Sequence, residues 1–91
     1  MVTLDECIGM SGLTDDEITV IAQHRRMPTI VAVEVGHALL GTAKGQLILR
    51  EYMSELLERA RRAGKRERAQ HLERVLIGFN RRYPTPPGLR R

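Results

Sequence analysis

The chain has 91 residues, 42% hydrophobic but only 3% aromatic, and 15 basic against 11 acidic side chains give it a net charge of +4. That length makes one domain with a modest core. Without Trp, and with Tyr52, Phe79 and Tyr83 as the whole aromatic supply, the core must be aliphatic, and no run of about eighteen apolar residues exists to span a membrane.

Cys7 is the single cysteine. It excludes an internal disulfide, and one thiol is no zinc site; it reads as a small hydrophobe on a short helix. With an acidic start and no apolar signal core, the expected setting is cytoplasmic. The charge is unevenly spread: residues 1–23 hold five acids and no Lys or Arg, whereas all 15 basic residues lie from Arg25 onward against six acids. Such asymmetry marks either a docking surface or an internal pairing of the two ends.

Residues 3–10 are expected to form a short leading helix with Leu4 and Ile8 on one face, broken by Ser11 and Gly12. Thr14-Asp15-Asp16-Glu17 is a capping box, and its acids suit the positive end of a helix dipole. The helix it opens, residues 15–26, turns Ile18, Ile21 and Ala22 inward and ends at two arginines. Pro28 forbids continuation and suits the start of the next helix.

Residues 29–40 are rich in β-branched side chains and have strand character. A helix is expected instead, because no second strand is available to pair with a lone one. On a helix, Ile30, Val33, His37 and Leu40 share one face and Val31, Val35 and Leu39 another. Such an all-round apolar helix reads as the central, buried element. Residues 41–45 read as a loop. Residues 46–63 then form a helix with Leu49, Met53, Leu56 and Ala60 inward. The acid-before-base pairs Glu55/Arg59 and Glu58/Arg62 lie on its outer face. After Gly64, residues 66–82 form a last helix with Ala69, Leu72, Leu76, Phe79 and Tyr83 in one stripe. The short connection makes these two an antiparallel pair. Residues 1–83 are therefore expected to be a single domain, all-α, a small antiparallel bundle of four main helices behind the short leading one. Pro84, Pro86, Pro87 and Gly88 make residues 84–91 a flexible Pro/Arg tail.

Few motifs carry chemistry. Residues 36–42 have two glycines at phosphate-loop spacing, but the lysine that must precede Thr42 is missing. Glu34 and His37 stand three apart, as the ligand pairs of di-iron bundles do, yet such bundles need two pairs and two further glutamates. They are candidate metal ligands only in the least favoured reading, a metal-binding bundle. Ser11 and Ser54 stand in no nucleophile motif, so no enzymatic activity and no cofactor are expected.

The basic cluster Arg59, Arg61, Arg62, Lys65, Arg66 and Arg68 is the strongest charged feature. Spanning the bend between the last two helices, it is the candidate contact for a partner or for phosphates. The expected function is a small protein–protein interaction module, accessory or regulatory, pairing with another protein or with itself as a homodimer. The alternative is a nucleic-acid-associated protein that uses the same basic corner, although too few aromatics are present for stacking on single strands.

Overall fold

The computed structural model describes residues 11–84. The leading helix expected over residues 3–10, with Cys7, and the tail beyond Pro84 lie outside them. Four helices account for the rest: α1 (Asp15–Arg25), α2 (Thr29–Leu40), α3 (Ala43–Arg62) and α4 (Arg66–Arg82). No strand occurs among the described residues, so the fold is all-α, and none of these helices is long and apolar enough to cross a membrane.

The capping box forms as expected. Thr14 Oγ1 accepts from the Glu17 N–H at 3.2 Å, and Glu17 Oε1 accepts from the Thr14 N–H at 2.8 Å. At the other end of α1, Arg26 takes a left-handed conformation (φ 52°), which lets the Met27 N–H reach the Ala22 carbonyl. Pro28 holds the position just before α2, with extended backbone, and its carbonyl accepts from Ala32. The β-branched run that follows is helical throughout.

The loop expected over residues 41–45 shrinks to Gly41 and Thr42. Thr42 is extended (φ −133°, ψ 155°) and its hydroxyl accepts from the Gly45 N–H at 2.9 Å, so α3 starts at Ala43. Gly45 lies inside the helix because nothing larger fits against the end of α2. A Cβ there would sit 1.8 Å from the Leu39 carbonyl oxygen.

A second correction concerns the centre of the bundle. It is α3, not α2, that packs against all three other helices, and it buries Leu49, Met53, Leu57 and Ala60. Leu57 takes the place expected of Leu56, which is half-buried. The last helix contributes Leu72, Val75 and Phe79, with Leu76 at the margin. Helices α3 and α4 are antiparallel: Arg61 meets Glu73 near the turn, and Arg50 meets Asn80 far from it. By contrast, α2 packs mainly on α1 and α3. It buries Ala32, Val33 and Gly36, and leaves Ile30 at 49% and Val31 at 39% exposure.

The uneven charge is in part an internal arrangement. The Arg82 guanidinium donates to both carboxylate oxygens of Glu17, at 2.6 and 2.9 Å, and Glu17 is 1% exposed. Next to it, the Tyr83 hydroxyl donates to the Gly12 carbonyl at 2.8 Å. The acidic start of α1 is thus fastened to the basic end of α4.

Candidate functional site

The basic corner is built by a helix stop. Gly64 has φ 70°; its N–H donates to the Arg61 carbonyl, and the Lys65 N–H reaches back to the Ala60 carbonyl. These are the two bonds of a Schellman motif, which closes α3 and reverses the chain into α4. No atom would obstruct a Cβ at Gly64, so only the backbone conformation demands glycine there. Gly64→Ala is accordingly expected to cost about 1 kcal/mol, the penalty of one left-handed residue. A urea melt that moves by much more would mean that the corner is crowded.

Within that corner the six predicted contact residues divide. Arg61 pairs with Glu58 at 3.2 Å and with Glu73 at 3.8 Å. Arg68 donates to the side-chain carbonyl of Gln23. Arg59 stands near Glu55 and helps hold its carboxyl below the usual range, without a close ion pair. The expected Glu55/Arg59 and Glu58/Arg62 pairs are therefore replaced: Glu55 goes to His24 on α1, and Glu58 to Arg61. Arg62, Lys65 and Arg66 have no acidic partner among the described residues. Arg61, Lys65 and Arg66 line an open hollow of about 340 Å³ whose far wall is Gln70 and Glu73. Cations also crowd the start of α4, which has no side-chain cap. At that positive dipole end they repel, and only Glu67 offsets them.

Glu34 and His37 are both exposed on α2, not at the edge of a buried helix. His37 Nδ1 lies 3.3 Å from the Ser11 carbonyl. A carbonyl only accepts, so in this contact Nδ1 carries the proton. No three His, Cys, Asp or Glu side chains gather as a metal site among the described residues. The broken phosphate loop is not a loop at all: residues 36–40 are the end of α2, whose amides are spent on helical hydrogen bonds.

One cluster has no counterpart in the sequence reading. His24 stacks on Tyr52 (centroids 4.4 Å apart), and its Nε2 donates to Glu55 Oε2 at 2.5 Å. Arg25 lies over the other ring, 5.7 Å from the Tyr52 centroid. The hydrogen bond from His24 is the main cause of the lowered Glu55 pKa. Among the described residues His24 Nδ1 is buried without a hydrogen-bond partner. The cluster fastens α1 to α3. Its only signal in the sequence is the three-residue spacing of Tyr52 and Glu55; the partner on α1 is 31 positions from Glu55.

Arg50 is a buried cation, 7% exposed. Its guanidinium lies over Phe79, donates to Asn80 Oδ1 at 2.8 Å and to the Tyr83 carbonyl, and burial lowers its pKa. It ties the middle of α3 to the end of α4.

The remaining surface feature is the outward side of α2. Ile30, Val31, Glu34, His37 and Ala38 are all exposed there, with Val35 half-buried beside them. Apart from Glu34 and His37 this face is apolar, and residues 27–43 contain no Lys or Arg. No known protein family, curated protein or solved structure matches the chain.

Proposed function

We propose that this domain is a small protein–protein interaction module, accessory or regulatory in kind, that docks through the outward face of α2. The observation that carries the reading is the exposure of Ile30 (49%) and Val31 (39%) on one helix that is apolar nearly all round. A monomer gains by burying such residues, and among the described residues α1, α3 and the segment around Leu13 reach the helix but leave these two side chains exposed. Contiguous exposed apolar side chains rimmed by polar ones mark interaction surfaces. A lone exposed residue such as Ile77 on α4 needs no such explanation.

The basic corner supports a second reading, binding to nucleic acid, because Arg62, Lys65 and Arg66 lack acidic partners among the described residues and two of them, Lys65 and Arg66, line an open hollow. One experiment separates the two. Affinity capture from nuclease-treated native lysate is run with the wild type, with Ile30→Glu/Val31→Glu, and with Arg61→Glu/Arg62→Glu/Arg66→Glu. The α2 reading expects a stoichiometric protein partner, counting the chain's own copy, that is lost only with the α2 variant. Loss only with the arginine variant, and a log–log salt slope of about −3 for an oligonucleotide, would establish the phosphate reading in its place.

A further inference from the structure

We propose that the hollow between the end of α3 and the start of α4 is a docking groove for an acidic, amphipathic peptide segment of another protein. It is a different surface from the outward face of α2, and the proposal does not depend on that face.

The groove begins with a choice made inside α3. Leu57 takes the core position, so Leu56 turns to the margin and is half-buried. Ala60 and Ala63 follow Leu56 on the same stripe of the helix. Because both are alanines the stripe is low, and with Leu72 of α4 it lines an open hollow of about 240 Å³. Arg59, Lys65 and Arg68 complete the lining. From Leu56 to Ala63 the apolar floor runs about 10 Å, at 1.5 Å per residue.

No carboxylate lines this hollow. Three other hollows of the described surface contain their own acids: Glu73 with Arg61, Asp16 and Glu17 with Arg82, and Glu55 and Glu58 with Arg59 and Arg62. The nearby acids are also engaged away from the groove. Glu55 goes to His24 and Glu58 to Arg61, which leaves Arg59 without an ion pair. Arg68 donates to the neutral amide of Gln23, and Lys65 has no side-chain partner among the described residues. Three cations therefore border an apolar floor without a carboxylate to compensate them. The complement of that pattern is an apolar side chain flanked by acids.

A protein segment supplies both halves of the complement. Its carboxylates match guanidinium groups in paired hydrogen bonds, and a leucine or methionine laid on the alanines adds an apolar gain that a phosphate chain cannot use. A nucleic-acid base would need a ring to stack on, and no aromatic residue lines the groove. The contact is short, so a Kd of about 10–100 µM is expected.

The test is fluorescence anisotropy of the full chain at about 0.1 M salt. The probe is a fluorescein-labelled peptide of about twelve residues, with leucines at i, i+3 and i+4 spacing on a glutamate background. The controls are the same peptide with serine for leucine, and a labelled oligonucleotide. The leucine peptide is expected to bind at least about tenfold tighter than the serine peptide, the effect of partly burying one leucine. Ala63→Glu places a carboxylate on the floor and Lys65→Glu removes a bordering cation. Each should weaken the leucine peptide about tenfold with helicity unchanged, while Ile30→Glu/Val31→Glu should leave its affinity as it is. Equal binding of the two peptides overturns the groove, because charge alone then holds them. An oligonucleotide bound more tightly than the leucine peptide assigns the corner to phosphates instead. Binding lost with the α2 variant but kept with Ala63→Glu and Lys65→Glu puts the peptide on α2 and also overturns the proposal. A wild type that fails to bind the leucine peptide overturns it too, and leaves docking by α2 to the capture experiment.

Discussion

Arg82→Met is expected to destabilise the domain by about 3 kcal/mol, the range measured when one partner of a buried ion pair is removed. The size follows from an asymmetry within the pair. The Glu17 side chain is 2% exposed, while that of Arg82 is 38% exposed. Water can replace the partner of the arginine but not that of the carboxylate. The substitution leaves the Glu17 side chain buried, with the Thr14 N–H as its remaining hydrogen-bond donor among the described residues. Methionine keeps most of the aliphatic length, so the loss is electrostatic rather than a cavity. The discriminating step is a second change. Glu17→Gln in the Arg82→Met background is expected to restore about 1 kcal/mol or more, because a neutral amide costs less to bury and still accepts from Thr14. Urea unfolding followed by circular dichroism measures both. If the second change destabilises further, the carboxylate is effectively solvated and the account of the pair is wrong.

The same pair shows where sequence reading stops. Glu17 was legible as half of a capping box, since its partner is three residues away and the geometry is that of a helix start. Its second role was not, because Arg82 is 65 positions further on and nothing local distinguishes it from Arg81. The basic corner behaves alike. Its six cations are contiguous enough to be seen as one feature, but their division into paired and unpaired depends on Gln23, Glu58 and Glu73, two of which lie on other helices than the cations they meet. Helix α2 gives the opposite lesson. Its secondary structure could be argued by elimination, yet its burial could not. An apolar circumference states how much surface a helix would bury, not how many neighbours arrive to cover it. Among the described residues α1, α3 and the segment around Leu13 do, and the exposed side becomes the candidate site.

The turn that places α2 against α3 carries the other large effect. Gly45→Ala is expected to cost at least about 3 kcal/mol, at the upper end of overpacking penalties. Beside Gly41, Gly45 has the composition of loop punctuation, which is why the sequence alone predicts a loop as long as residues 41–45. Inside α3 its role is steric. The added methyl group would lie 1.8 Å from the Leu39 oxygen, 2.6 Å from its carbonyl carbon and 2.7 Å from its Cα. All three are backbone atoms, so no rotamer change relieves the clash. Either the end of α2 lifts away from α3, or the Thr42 cap breaks and the first turn of α3 unwinds. The alternatives are separable. Lifting α2 would loosen Val33 from the core and lower the midpoint of urea unfolding, with helicity preserved. Unwinding would remove helical signal before global unfolding and strip hydrogen-exchange protection from the start of α3 alone. Alanine is otherwise the better helix former by about 1 kcal/mol, so an unchanged or raised stability would show that Leu39 and Gly45 are not in backbone contact. The docking face would then have to be redrawn, because the orientation of Ile30, Val31 and Glu34 is set by how α2 is seated on α3 at this glycine.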